Sequence, residues 1–264
     1  MQIQQIRNAT LRIQFGEKTF LIDPWLAPKW GIGCFANIPG HPFTVPDFAK
    51  EQIPMPFFDL PMAAEDVLDG IDPYIITHIH PDHIDIAPDG TVGARLDHTL
   101  PIYVQNDADK AVFEKSGFSD VRLLSDSGSC FGEVCLTKTP ARHGVIQPCG
   151  DACGVLFSAE NEQTLYLAGD TIWYDGVAQT LAMHQPPVIL LNACAAELSG
   201  YGRLIMGDED VESVARTMPK SQIVLTHMDN VAHASITRYE MKGRLARRNI
   251  TNWQMPADGE TLAF

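Results

Sequence analysis

Positive charge is scarce in this sequence. Its 19 Lys and Arg stand against 33 Asp and Glu, a formal charge of −14 over 264 residues. That excess repels polyanions, so neither nucleic acid nor a membrane face is expected as a partner. Long apolar runs are also missing, and none approaches the roughly eighteen residues that a bilayer-spanning helix needs. The opening MQIQQIRNAT has no basic segment followed by an apolar core, so no secretory leader is expected and the location reads as cytoplasmic. The six cysteines (34, 130, 135, 149, 153, 194) are too scattered for a disulfide framework. Cys149 and Cys153 lie four apart, but no second pair or nearby His completes a zinc ribbon, and all six read as reduced thiols. No linker-like or low-complexity stretch divides the chain, so residues 1–264 read as a single domain.

What is present is a 45% hydrophobic chain patterned for both strands and helices. Leu11, Ile13 and Phe15 alternate with Thr10, Arg12 and Gln14, the period of a half-buried strand, and Gly16-Glu17-Lys18 turns into a second strand, TFLID. Further strands are expected at PYIIT, LPIYVQN, VRLL, EVCLTKT, GVLFSA, TLYLAG, VILLN and QIVLT. Helices are expected from Asn106-Asp107 to Gly117, over 175–183, over 208–218, and from the Thr237/Glu240 capping box to about 248. Mixed sheets with outer helices follow, an α/β fold. Residues 24–61 differ in character, with eight prolines and seven Trp or Phe. Such a loop inside a compact chain is usually functional, and residues 25–58 are expected to form a wall or lid over a groove.

One stretch stands apart. THIHPDHID, residues 77–85, places three of the nine histidines and two aspartates at the end of an apolar run. In extended chain, residues two apart share a face, so His78 and His80 can grip one cation while the turn at Pro81 carries Asp82 and His83 to a neighbouring position. Imidazole and carboxylate suit zinc, and also manganese or iron. Three more ligand types follow strands elsewhere: His143 after VCLTKT, Asp170 after LYLAG and His227 after IVLT. Ligands in α/β folds gather at the carboxyl ends of strands. Together the seven suffice for two divalent ions, zinc first, sharing one Asp.

These residues resemble the metallo-β-lactamase superfamily. HIHPDH matches its H-x-H-x-D-H signature, and the later His, Asp and His come in the family's order, from FLIDP at 20–24 through LAGDT at 167–171 to LTHMD at 225–229. The resemblance implies a four-layer αββα sandwich with a dinuclear site between the sheets. It places His78, His80 and His143 on one metal, Asp82, His83 and His227 on the other, and Asp170 as the bridge. The opening NATLRIQFGEKTFLIDPWLAP is similar to the branch that includes the ascorbate-6-phosphate lactonase. Asn8-Ala9-Thr10 stands where such relatives often carry Gly-His-Ser or Gly-His-Ala, a departure that bears on the substrate.

The implied activity is hydrolysis of a small ester, lactone or phosphodiester by a metal-held hydroxide, with Asp82 handling the proton. His233, six residues beyond His227, could lean over the groove and contact substrate. Asp23, Asp85 and Thr171 read as partners that orient the ligands. A diiron redox centre usually replaces the second His of the motif with Glu, so His80 favours hydrolysis. A mononuclear-iron oxygenase of a sulfur substrate and a non-catalytic metal-binding protein are the alternatives. Lys242, Arg244, Arg247 and Arg248 read as a solvated helix face and Arg203 as a surface residue, while His41, His98 and His184 lack ligand-like company. The expected partners are a small-molecule substrate and copies of the same chain.

Overall fold

The computed structural model describes all 264 residues except 39, 41, 45, 46 and 144–148, so His41 lies outside the described residues. Alternation in the sequence becomes a two-faced sheet. Strand β2 (Thr10–Phe15) buries Leu11, Ile13 and Phe15, while Gln14 is exposed. It pairs antiparallel with β1 (Gln2–Arg7) on one side and β3 (Lys18–Ile22) on the other. Beyond β3, the strands β4 (Tyr74–Ile75), β5 (Ile102–Val104) and β6 (Val121–Leu123) run parallel. The last strand, β16 (Thr261–Ala263), closes the other edge beside β1.

The second sheet repeats this plan. Strands β7 (Ser129–Phe131), β8 (Val134–Pro140), β9 (Cys153–Ser158) and β10 (Leu165–Leu167) form an antiparallel meander. Parallel strands β11 (Val188–Asn192), β14 (Gln222–Thr226) and β15 (Trp253–Gln254) extend it. A separate hairpin, β12 (Glu197–Leu198) and β13 (Gly202–Arg203), lies between β11 and β14 in sequence.

The inner faces meet in an apolar layer. Leu11, Ile13, Phe15 and Phe20 pack against Val155, Phe157, Leu165 and Leu190, and Phe20 meets Phe157 edge-on at 5.3 Å. Helices α1 (Ala64–Leu68) and α2 (Asp107–Lys115) cover the first sheet, setting Val67 and Phe113 among Leu21, Ile76 and Val104. Helices α3 (Asp175–His184), α4 (Asp208–Thr217) and α5 (Arg238–Arg247) cover the second through Leu181, Val214 and Leu245. These are the four layers αββα that the family resemblance implied. The expected caps form: Asn106 accepts the Asp109 N–H at 2.9 Å, and Thr237 and Glu240 cap each other's backbone.

The structure corrects one reading of charge. Arg244 and Arg248 do not form a merely solvated face. Arg244 reaches Asp208 at 3.1 Å, and Arg248 reaches Asp208 at 2.7 Å and Glu212 at 2.5 Å, tying α5 to α4. Arg203 pairs with Asp210 at 2.9 Å, as a surface residue would. His98 packs on Phe118 with ring centroids 4.1 Å apart.

The proline- and aromatic-rich segment is fastened by a residue that no pattern flagged. Arg7, at the end of β1, is fully buried. It donates to the carbonyls of Trp25 at 2.7 Å, Ala27 at 2.9 Å and Phe58 at 3.4 Å, with its guanidinium 4.5 Å from the Trp25 ring centre. Burial lowers its pKa to about 10, so it stays charged at neutral pH. Asp85, expected to orient an imidazole, makes no hydrogen bond to one among the described residues: its Oδ1 is buried without a partner, and burial raises its pKa against the nearby Arg7 charge. The segment also pairs with the small hairpin at Phe43 and Leu198. Replacing Arg7 with Met would leave buried carbonyls without a donor and Asp85 without its counter-charge. Urea unfolding of Arg7→Met should show a loss on the order of 3 kcal/mol, with cleavage by protease accelerated first within residues 28–58.

Candidate metal centre

Both sheets deliver polar residues to one edge. Strand β1 ends at Asn8, β3 at Asp23 and β4 at the His78–His83 turn, while β8, β10, β11 and β14 lead to His143, Asp170, Asn192 and His227. Asn8, Asp23 and His227 have positive φ (53°, 43° and 68°), a conformation that turns the chain sharply as each strand ends. All of the ligand candidates except His80 are buried, and His80 is partly so.

Two groups of donors result, with one carboxylate between them. His80 Nδ1 lies 2.9 Å from His78 Nε2 and 3.3 Å from His143 Nε2. In the second group His83 Nε2 lies 3.0 Å from His227 Nε2, which is 3.4 Å from Asp82 Oδ2. Asp170 Oδ2 is 3.7 Å from His78, 3.3 Å from His83 and 3.8 Å from His143, while its Oδ1 is 3.7 Å from His227. All seven predicted ligands are therefore brought together.

The outer hydrogen bonds decide which ring nitrogens face inward without a proton. Thr77 donates its hydroxyl to Asp23 at 2.7 Å, so its oxygen accepts from His78 Nδ1 at 3.1 Å. His83 Nδ1 donates to Asp23 Oδ2 at 2.9 Å, and His143 Nδ1 donates to the Leu204 carbonyl at 3.0 Å. With the protons on those outer nitrogens, the Nε2 lone pairs of His78, His83 and His143 point into one small space beside two buried carboxylates. Lone pairs that close repel unless a cation sits among them, and an outer carboxylate or carbonyl is the usual partner of a metal-bound imidazole. The donor set fits divalent cations that accept nitrogen and oxygen, as zinc, manganese and iron do.

Electrostatics agree. Burial, then the neighbouring imidazoles, holds His78 well below the usual imidazole range. Burial and then His143 bring His80 down to about 4. For Asp170 burial opposes ionisation, but the facing His227 and His83 override it and keep the carboxyl well below its ordinary value. Asp82 behaves likewise, through His233 first. His83 is raised despite its burial, by Asp170 and Asp23.

His233 comes to the same place from the loop before α5. Its Nε2 is 3.3 Å from Asp82 Oδ2, its side chain is 10% exposed, and its buried Nδ1 has no partner. Asp82, His227 and His233 converge closely enough to share an ion. Of the expected supporting residues, Asp23 orients an imidazole directly, whereas Thr171 acts on backbone, accepting the Arg142 N–H at 2.8 Å just before His143.

Two contributors were not among the expected site residues, Asn8 having been marked only as a departure in the opening segment. Asn8 Nδ2 donates to Asp82 Oδ2 at 3.1 Å and lies 3.3 Å from His227 Nε2. Asn192 donates to Asp170 Oδ1 at 2.5 Å. The available signal was a polar residue ending a strand on the edge that also carries the ligands.

A family model described as a beta-lactamase superfamily domain matches residues 19–228. The chain belongs to that superfamily, as a metal-dependent hydrolase with the metallo-β-lactamase fold. It is 35% identical to the UPF0173 protein YddR of Bacillus subtilis (strain 168) over 269 residues, covering 100% of both chains. Among solved structures, one described as a possible metal-dependent hydrolase from Veillonella parvula DSM 2008 is 35% identical, with TM-score 0.88 over 100% of this chain and 99% of that one. Another, described as isothiocyanate hydrolase from Delia radicum gut bacteria, is 34% identical, with TM-score 0.89 over 100% and 99%.

The depressed pKa of His80 carries a pH signature in metal-free protein. Between pH 6.5 and about 4 the unfolded chain takes up a proton at this residue that the folded chain refuses, so its contribution to stability falls as the pH is lowered through that window. Urea unfolding of metal-free His80→Asn should therefore depend less steeply on pH between 6.5 and 4 than unfolding of the parent. Equal slopes would show that His80 is not the group responsible.

Proposed function

We propose that the protein hydrolyses a small uncharged molecule at an electrophilic carbon, using two divalent ions, zinc first. His78, His80 and His143 would hold one ion, Asp82, His83 and His227 the other, and Asp170 would bridge them. Ions bound there lower the pKa of water and polarise the group under attack. The 264 residues would act as one catalytic unit.

The observation that carries the substrate class is the pocket over this centre. It encloses ≈ 260 Å³, its floor is His80, Asp82, His143 and Asp170, and its walls are Phe35, Phe43, Leu198, Leu204 and Ile205. Among the described residues, no Lys or Arg lines it. A phosphodiester or phosphorylated lactone would bring negative charge to apolar walls on a protein that is itself strongly acidic. An ester, an unphosphorylated lactone or an isothiocyanate would not. The similar solved structure described as an isothiocyanate hydrolase supports placing R–N=C=S first. In that reaction water adds across the C=N bond, oxygen to carbon and hydrogen to nitrogen. The thiocarbamic acid then divides into an amine and carbonyl sulfide.

The chain's own residues would manage the protons. Asp82 Oδ2 faces Asn8, His227 and His233, so it can take a proton from the attacking water while Asn8 fixes its orientation. His233, touching Asp82 through Nε2 while its ring lines the pocket, would steady Asp82 and border the substrate. The hydrolases among similar proteins favour this reading over an oxygenase or a non-catalytic metal carrier.

Two measurements test it. Metal content should be two equivalents in the parent, fall by roughly one in His227→Ala and stay at two in His233→Ala, which should lose rate instead. The opposite pattern would exchange the ligand assignments. In a panel of benzyl isothiocyanate, phenyl acetate, γ-butyrolactone and bis-p-nitrophenyl phosphate, an uncharged member should be hydrolysed, and chelation should abolish its turnover. Asp82→Asn should cut the rate roughly a hundredfold or more while leaving the fold intact. Cleavage of the phosphodiester alone would sink the substrate class.

A further inference from the structure

Three aromatic rings stand directly beside the centre. Phe35 and Phe43 lie parallel within 6°, with centroids 5.0 Å apart. The His233 ring lies 5.5 Å from Phe35 and 5.3 Å from Phe43, tilted by 22° and 20°. Phe35 and Phe43 share one segment of the chain and His233 comes from a distant loop, so the alignment of all three is built by tertiary structure. Phe35 opens the 3-10 turn Phe35–Asn37. Phe43 is held by strand-like pairing: the Thr44 N–H donates to Glu197 O at 2.9 Å and the Ser199 N–H to Pro42 O at 2.7 Å. Both phenylalanines are only partly buried, and both line the cavity above the metal ligands.

A core aromatic is normally covered on all sides, whereas these rings keep apolar surface turned toward an open volume. Leu198, Leu204 and Ile205 furnish its other walls. His233 joins the two ends of the arrangement. Its Nε2 contacts Asp82 at 3.3 Å, while its ring continues the aromatic wall. A molecule with its reacting carbon near Asp82 would therefore extend its substituent along the rings. Flat aromatic groups gain from offset stacking at these separations, and a charged group would lose its hydration without a partner.

We propose that Phe35, Phe43 and His233 form a substituent subsite that selects substrates carrying an uncharged group of about one aromatic ring. This rests on the hydrolytic reading above and names what that reading leaves open, the part of the molecule that does not react. The subsite acts through binding, so its effect should appear mainly in KM.

The test compares methyl, n-butyl, benzyl and 2-phenylethyl isothiocyanates with 4-isothiocyanatobenzoate on metal-loaded protein. The parent should show kcat/KM at least roughly tenfold higher for benzyl than for methyl, mostly through KM, with the benzoate disfavoured. In Phe35→Ala and Phe43→Ala that ratio should fall toward one, and Phe43→Leu should lie between. Metal content and melting temperature near those of the parent would show that each variant is folded. A ratio near one in the parent, or an unchanged ratio in both alanine variants, overturns the subsite while leaving the hydrolase reading intact. If none of the series is turned over, the isothiocyanate reading fails, and binding of phenylacetamide by ligand-observed NMR decides the subsite separately. Weaker binding in the alanine variants supports it. Equal binding, or none to the parent, overturns it.

Discussion

Five imidazoles and two carboxylates converge at the edge where the two sheets meet, nearly all removed from water. Three of the imidazoles, His78, His83 and His143, commit their Nδ1 protons outward, to Thr77, Asp23 and Leu204, which leaves their Nε2 electron pairs turned toward the other ligands. That arrangement is unfavourable alone and favourable around a cation, so the polar edge of the molecule is organised around charge supplied from outside the chain. The first sheet contributes Asn8, Asp23 and the His78–His83 turn, and the second contributes His143, Asp170, Asn192 and His227. A bound ion would therefore add a further tie to two sheets already joined by the apolar layer and by hydrogen bonds such as those from Thr226 Oγ1 to the Asn8 carbonyl and from the Cys153 N–H to the Thr77 carbonyl.

The parts of this site that could be read from sequence were those with internal spacing. His78, His80, Asp82 and His83 announce themselves because a strand end and a tight turn fix where four side chains go. His143, Asp170 and His227 could be found because each follows an apolar run, and strands of one sheet finish at one edge. Asn8 and Asn192 have no such spacing. Each is a single amide whose role appears only when a residue from another strand, Asp82 or Asp170, arrives opposite it. Arg7 was hidden for the same reason: its partners are backbone carbonyls of residues 25, 27 and 58, and a carbonyl has no sequence.

The fold was legible to a similar degree. Strong alternation marked β2, and apolar runs marked β11 and β14, because burial on one face or both dictates those patterns. Strand β1, rich in glutamine, and the short edge strands β15 and β16 carried too little apolar contrast to be recognised. The basic end of α5 misled because charge composition does not reveal an acidic partner helix. Asp208 and Glu212 of α4 turn what reads as a solvated stripe into a helix–helix clasp.

Arg7 and Asn8 are adjacent, yet they serve different masters. One grips the segment that roofs the pocket; the other touches the carboxylate and imidazole at its floor. Between the Arg7 contacts, the described part of the roof adds no strand to either sheet and meets the small hairpin at Phe43. A descendant sequence could thus exchange much of the roof without disturbing sheet register, provided that the ties at residues 25, 27 and 58 and those of Lys50, Met55 and Phe57 to residues 230–234 were remade. Selectivity and chemistry can then diverge on separate evolutionary clocks, with the end of one strand as the hinge between them.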